Sequence, residues 1–359
     1  MNTYYLKLVG DYVYPMARMI FYCTMGHLLK GPKINPNRIF KNQDMRIPCM
    51  LILPQGSGKK DVESLIIQIL RDASGQENPE TIVTSYHPEQ FIGTQVKDEN
   101  TGEFENMKGY LGEDFIIKNE AYHLVHSKRN EHQIARNYLK EALDPYGHNK
   151  ITKRRVASHT TLQYYPFCSV FLELQPATIT EDALKSGLMR RFIIYYSEDI
   201  PRKIILTGKE TKGYEIKINL NPVFTRLSHE GMVRIENEAN NLLEDAELPM
   251  VELRWDFGYN TMRFAICNMA VGMSEDEAID LAIKDAQIFY ESFCDFVDKY
   301  SEPEKISTRT INIIDMLVKL YQYSDLKLSY SEIAKVIGKS RKSVQRYMND
   351  IRYKYGVKL

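Results

Sequence analysis

Neither charge is in excess in this sequence: 47 Lys and Arg are matched by 47 Asp and Glu over 359 residues. With zero formal net charge, no bulk electrostatic attraction draws the chain to nucleic acid or to a membrane, so any such affinity has to come from local asymmetry. Paired cysteines are lacking too. The five present, Cys23, Cys49, Cys168, Cys267 and Cys294, are odd in number, far apart, and sit in apolar runs without His or Cys at metal-ligand spacing. They are expected to be reduced core residues of a cytoplasmic protein, which excludes a disulfide scaffold. No apolar run is long enough to span a bilayer. The N-terminal MNTYYLKLVGDYVYPMARMIFYCTMGHLL is broken by Lys7, Asp11, Pro15 and Arg18 and has no small-residue cleavage site, so it does not read as a signal peptide. What is present is 43% hydrophobic residues, enough for a full core and for more than one domain.

After a helical N-terminal segment, 1–40, short apolar runs alternate with helical patterns from 41 to 200: MRIPCMLIL, ETIVTSY, DFIIKN, FCSVFLEL and RRFIIYY. Alternation of this kind predicts an α/β core whose largely parallel sheet is buried on both faces. From Ile200-Pro201 a β-rich stretch, KIILTGKETKGYEIKINL, gives way to helices, and 201–300 is expected to form a helical lid. The polar, proline-broken Ser301-Glu-Pro-Glu-Lys305 lies in a linker, 301–308. The remainder, 309–359, is small, helical and basic at its end.

The run RIPCMLIL ends in LPQGSGKK and opens a helical DVESLIIQILRDA. A strand that turns through glycines into a helix presents backbone N–H groups and the positive helix end to a phosphate. Pro54, Gln55, Gly56, Ser57, Gly58 and Lys59 therefore form a candidate phosphate-binding loop, with Lys59 set to neutralise the β- and γ-phosphates of ATP. Lys60 stands where a P-loop has the Ser or Thr that holds Mg²⁺. A second buried strand, DFIIKNEA, ends in Asn119-Glu120 where a Walker B strand ends in Asp-Glu, the Asp reaching Mg²⁺ and the Glu polarising the attacking water. Both metal-ligand positions thus depart in the same direction. An ammonium at 60 can supply positive charge that Mg²⁺ normally brings, and a neutral Asn119 removes an anion that would attract the metal. The expectation is ATP binding with weak or absent Mg²⁺-dependent hydrolysis.

With these strands in order, residues 45–275 resemble the AAA+ ATPases, and within them the minichromosome-maintenance (MCM) helicases and related virus and plasmid helicases. The resemblance lies in motif order and spacing. VASHTTLQYYPFCSVFLELQP is similar to the passage from a pre-sensor hairpin into the sensor 1 strand, with Gln175 where the family has Asn. LKSGLMRRFIIYY is similar to the family's Leu-Ser-Arg-Phe stretch, which makes Arg191 the arginine finger that stabilises transition-state charge in a neighbouring subunit's site. YNTMRFAICNMAVGMSEDEAIDLAI resembles the lid, with Arg263 matching sensor 2. An arginine finger acting in trans implies a homo-oligomeric ring, in this family commonly a hexamer. Between the second strand and sensor 1, DPYGHNKITKRRV carries Lys150, Lys153, Arg154 and Arg155; in related helicases a hairpin here contacts single-stranded DNA in the channel, and Lys and Arg release counterions from phosphates. A solvated basic loop is the plainer alternative. With only about forty residues before the first strand, the oligonucleotide-binding domain that cellular MCM proteins place before the ATPase is not expected here.

The stretch YSEIAKVIGKSRKSVQRYMNDI reads as helix, glycine turn, helix. Ala334 is small where the helices must cross, Gly338 permits the turn, Ser340 can cap the second helix, and Val344, Met348 and Ile351 make its buried stripe. Its exposed positions, Arg341, Lys342, Gln345, Arg346 and Asn349, are of the types that reach base edges and phosphates in a major groove. A plain or winged helix-turn-helix that binds duplex DNA is expected; a protein-docking module has the same fold.

These features point first to an ATP-binding, MCM-like, ring-forming DNA helicase of replication, encoded by a prokaryotic cell, virus or plasmid. An initiator of the origin-recognition type, a nucleotide-dependent DNA-binding switch with little hydrolysis, shares the layout of an AAA+ core followed by a winged helix. A hydrolysis-inactive scaffold subunit would also account for Lys60 and Asn119.

Overall fold

The apolar runs CMLI, FIIK, SVFLEL and IIYY form neighbouring strands because side chains on both of their faces need cover, which a parallel sheet between helical layers provides. A computed structural model of the chain describes residues 1–8, 13–30, 44–84, 88–97, 101–102, 104–121, 129–143, 151–154, 161–164, 166–177, 187–198, 213–242, 253–300, 331–333 and 345. The chain divides into two compact units, Met1–Ser301 and Glu302–Leu359. In the first, β2 (Cys49–Ile52), β3 (Thr81–Ile82), β6 (Phe115–Lys118), β9 (Ser169–Leu174) and β10 (Ile193–Tyr196) make a five-stranded parallel sheet in the order β10-β2-β9-β6-β3. The fold is mixed α/β, compatible with a P-loop NTPase-like core.

Successive strand residues point to opposite faces. Leu51, Leu53, Phe115, Ile117, Phe171 and Tyr195 join one apolar cluster with α1 (Val13–Leu29) and α2 (Lys59–Ser74). Met50, Ile52, Ile116, Val170, Leu172 and Ile194 join another with Phe91 of α3 (Pro88–Ile92) and Leu139 of α4 (Asn130–Ala142). The helix after β2 follows its sequence pattern: Val62, Leu65, Ile66 and Ile69 are buried at 3.6-residue spacing, and it stops at Gly75, whose N–H donates to Arg71 O at 2.9 Å in a left-handed cap.

The N-terminal segment expected to be helical begins with a strand. β1 (Asn2–Leu6) runs antiparallel to β11 (Tyr214–Ile218), Asn2 opposite Ile218 and Leu6 opposite Tyr214. Tyr4 and Leu6 are buried while Thr3 and Tyr5 are exposed, so the period is that of a half-buried strand, too short to be distinguished without its distant partner. Two antiparallel hairpins stand outside the main sheet, β4 (Gly93–Lys97) with β5 (Phe104–Lys108), and β7 (Ile151–Arg154) with β8 (Thr161–Tyr164).

The helices read as a lid, α5 (His229–Leu242), α6 (Leu253–Met269) and α7 (Glu275–Tyr300), share the core of α1. Tyr22 stacks on Phe264 with ring centroids 3.8 Å apart. A buried polar network fixes the register of this packing. Asp285 on α7 accepts from Tyr14 Oη at 2.5 Å, Arg18 Nε at 2.6 Å and Tyr22 Oη at 2.6 Å, and Arg18 Nη2 also donates to Asn268 Oδ1 at 2.6 Å. Burial and the Asp285 carboxylate push the Tyr22 hydroxyl well above its ordinary pKa, so it stays a donor. In the second unit, residues 331–333 and 345 are helical and Ile333 is buried; Ala334, Gly338 and the other turn and stripe positions of the helix-turn-helix reading lie outside the described residues.

Replacing Asp285 by Ala leaves the Arg18 guanidinium buried without its carboxylate. The expected loss is about 3–5 kcal/mol of stability, read from the urea midpoint followed by circular dichroism.

Candidate nucleotide-binding site

The end of β2 is tied to the end of β9: Leu53 N donates to Leu174 O at 3.1 Å. The chain then turns through Pro54–Gly58 into α2. Gly56 and Gly58 have φ of 81° and 88°, a left-handed conformation that glycine alone adopts without strain. A Cβ on Gly58 would come within 2.7 Å of Leu8 Cδ2, so the loop is also closely covered at that point, whereas Gly56 faces open space. Ser57 is buried and its Oγ donates to Pro54 O at 2.7 Å, which tightens the turn. Pro54 likewise shapes the loop through its carbonyl.

A cleft of about 950 Å³ lies over this turn. It sits outside the carboxyl ends of β2, β9 and β6, where ligands of open parallel α/β sheets bind. Of the residues singled out in the sequence, Gln55, Gly56, Gly58, Lys59, Lys60, Asn119, Glu120 and Gln175 line it. Three separate stretches of chain thus converge on one site. Thr84, Lys118 and Glu173 line it as well, and sequence reasoning missed them. Glu173 had a visible signal, being a single carboxylate within the apolar run SVFLEL.

Lys59 Nζ donates to the carbonyls of Leu53 at 2.6 Å and Pro54 at 3.1 Å. Desolvation lowers its pKa, opposed by the charges of Glu173 and Glu120. Lys60 Nζ donates to Glu63 Oε2 at 2.6 Å, the Lys60 side chain 72% exposed and that of Glu63 only 7%. With the Asn119 amide assigned so that its oxygen meets the Lys60 ammonium, the orientation that satisfies both of its ends, it donates to Glu63 Oε2 at 3.3 Å and to Glu173 Oε2 at 3.1 Å, while its oxygen accepts from Lys60 Nζ at 2.7 Å. The two departures from the P-loop and Walker B patterns are therefore bonded to each other, and the amide NH₂ bridges two buried carboxylates.

Glu173 is 3% exposed. Burial, then the neighbouring Glu63, push its pKa up to about 7, opposed by Lys60 and Lys59. Its Oε1 has no hydrogen-bond partner among the described residues, a situation that costs a buried acceptor about 1–3 kcal/mol. The Glu120 side chain is exposed and its backbone is left-handed, with φ 51°. Strain of this kind in a non-glycine residue costs roughly 1–3 kcal/mol. The loop is anchored just beyond it, where Ala121 N donates to Glu173 O at 2.8 Å.

Other expected site residues lie elsewhere. Arg263 does not line the cleft; it is buried, donates from Nε to Asp44 O at 2.9 Å, and stacks over the Tyr259 ring at 3.9 Å. Asp44 in turn takes Arg46 Nε and Nη2 at 2.9 and 2.6 Å, so Arg263 pins a packed segment before β2. Arg191 lies on the single turn Met189–Arg191 before β10, half-buried, with Nη1 donating to Gly187 O at 2.6 Å, away from the cleft of its own chain. Lys153 and Arg154 are in strand β7, paired with Leu162 and Thr161. Gln345 is helical and exposed. Lys150, Arg155, Arg341, Lys342, Arg346 and Asn349 lie outside the described residues.

The turn, the two lysines and the start of α2 fit a triphosphate: glycine conformations that open the backbone, ammonium groups on the cleft wall, and a helix N-terminus. Among the described residues, no group of three or more His, Cys, Asp or Glu is arranged to hold a metal ion, and no helix is long and apolar enough to cross a membrane.

The raised pKa of Glu173 has a stability consequence of definite sign. Between pH 4.5 and about 7 the folded chain keeps a proton that the unfolded chain has released, so this stabilisation is complete below pH 4.5 and is lost as pH rises through 7. Relative to Glu173→Gln, the wild type should lose roughly 3 kcal/mol between pH 4.5 and pH 8, measured by denaturant unfolding of both proteins at matched pH.

Comparison with protein-family models and with curated proteins returns no match for this chain.

Proposed function

We propose that this chain binds ATP in the cleft over β2, β9 and β6 and is an AAA+ protein of DNA replication, MCM-like and ring-forming, that couples the bound nucleotide to DNA. The observation that carries the reading is the convergence of the glycine turn with Lys59 and Lys60, the Asn119-Glu120 end of β6, and Gln175 beyond β9 on one cleft. In this reading the turn and the N-terminus of α2 hold the phosphates, Lys59 leaves the Leu53 and Pro54 carbonyls to neutralise them, and Gln175 reaches the terminal phosphate. Arg191 serves the site of a neighbouring subunit. The β7–β8 hairpin, between β6 and β9 in sequence, carries Lys153 and Arg154 and is the DNA-contacting element. The C-terminal unit supplies a second DNA contact through its expected recognition helix.

A specific observation favours a second reading, a nucleotide-dependent DNA switch. The Lys60 ammonium, held by Glu63 and Asn119, offers a fixed positive charge beside the phosphate loop, so ATP can be bound without the metal on which fast hydrolysis depends.

Calorimetric titration with ATP tests the shared core of both readings. Binding is expected with and without Mg²⁺, and Lys59→Ala should weaken it at least about tenfold, or about 1.4 kcal/mol; affinity that vanishes in EDTA would count against the role given to Lys60. For DNA, the Lys153→Ala, Arg154→Ala double variant should reduce the slope of log affinity for single strands against log salt by about 1.4.

A further inference from the structure

We propose that Glu173, and not Glu120, is the carboxylate that accepts the proton of the attacking water when ATP in this cleft is hydrolysed; the inference rests on the nucleotide reading above. The sheet order supplies the first reason. β9 lies between β2 and β6, and Glu173 sits opposite Leu51 in the register with β2, so its side chain stands between the phosphate loop and the Asn119-Glu120 turn. It lines the cleft beside Lys59, Lys60 and Asn119.

Its two oxygens are held differently. Oε2 accepts from the Asn119 amide at 3.1 Å, which fixes the carboxylate, while Oε1 has no hydrogen-bond partner among the described residues and belongs to a side chain that is 3% exposed. The amide thus orients the carboxylate and leaves Oε1 a buried, unsatisfied acceptor in a side chain that lines the polar cleft, an arrangement that favours taking up a proton. Its proton affinity also fits, since a base works best when its pKa is close to the working pH and that of Glu173 is pushed up to about 7. The groups responsible surround it. Glu63 on α2 raises its pKa, and Lys60 and Lys59 on the same helix lower it. Lys118, Asn119 and Glu120 at the end of β6, and Asp61 on α2, line the same cleft. Glu120, by contrast, is exposed and set on a left-handed backbone.

In the step proposed, the water oxygen forms a bond to the terminal phosphorus as the bond to the bridging oxygen breaks. The bond's electron pair leaves with the diphosphate, and the water proton passes to the Glu173 carboxylate, from which it returns to solvent with product release. Lys59 and Lys60 face the charge that builds on the phosphates. Asn119 acts as a positioning residue, through its hold on Oε2.

The test compares the full-length wild type with Glu173→Gln, Glu173→Asp and Glu120→Gln, measuring ATP binding by calorimetry and phosphate release in a single turnover from pH 5.5 to 8.5. In the wild type, release should rise with pH through about 7 and then level. Glu173→Gln should bind ATP within about threefold of wild type yet release phosphate at least about 100-fold more slowly, with the rising limb gone. Glu173→Asp should recover part of the rate with a displaced limb, which a merely structural role would not produce. Glu120→Gln should lower release at least about tenfold less than Glu173→Gln does. ATP binding without any phosphate release by the wild type, or a Glu173→Gln rate close to wild type, overturns the proposal and leaves the nucleotide reading standing. Absence of ATP binding by the wild type overturns both.

Discussion

The last two carbonyl groups of β9 hold both walls of the cleft. Leu174 O accepts from Leu53 N, where β2 enters the glycine turn, and Glu173 O accepts from Ala121 N, where the chain leaves β6. A strand inserted between β2 and β6 therefore does more than widen the sheet. It sets the separation of the glycine turn from the Asn119-Glu120 turn and delivers Glu173 and Gln175 between them. Because β9 is buried along its whole length, its position is fixed by packing on both faces, and the geometry of the cleft inherits that rigidity.

Within this frame the electrostatics are nearly self-contained. Two buried carboxylates, Glu63 and Glu173, would repel each other; the Asn119 amide bridges them and the Lys60 ammonium closes the network. An aspartate at 119 would put a third anion against the same pair, and a Ser or Thr at 60 would leave Glu63 without its cation. The departures at 60 and 119 are thus mutually dependent in physical terms, and Glu63 and Glu173 are the reason. Glu173 stays the least satisfied member, which keeps its proton affinity close to neutrality.

Other charged side chains serve the scaffold. Arg18 and Asp285 join α1 to α7, while Arg46, Asp44 and Arg263 join the segment before β2 to α6. The resemblance leads to the expectation that Arg263 is a nucleotide sensor; its guanidinium bonds a backbone carbonyl and lies over an aromatic face. On an apolar helix a lone arginine is compatible with either role, and only the partner across the core distinguishes them.

The sequence by itself determined the parts of this protein whose cause is local. The β2 run, the left-handed glycines, the lysine pair and the amphipathic α2 are specified by residues close together in the chain, and so the strand, glycine turn and helix were legible. So was the alternation of buried strands with helices, because complete burial of CMLI or SVFLEL leaves few options besides a parallel sheet. Strand β1 was not legible, since a short TYYL run becomes a strand only when Tyr214–Ile218 lies alongside it. Nor was the importance of Glu63 and Glu173, one a helix residue and the other a lone acid in an apolar strand. Their roles come from three segments distant in the chain meeting at the ends of β2, β6 and β9. Proton affinity depends on burial and on charges brought close through space, and only the tertiary structure decides those.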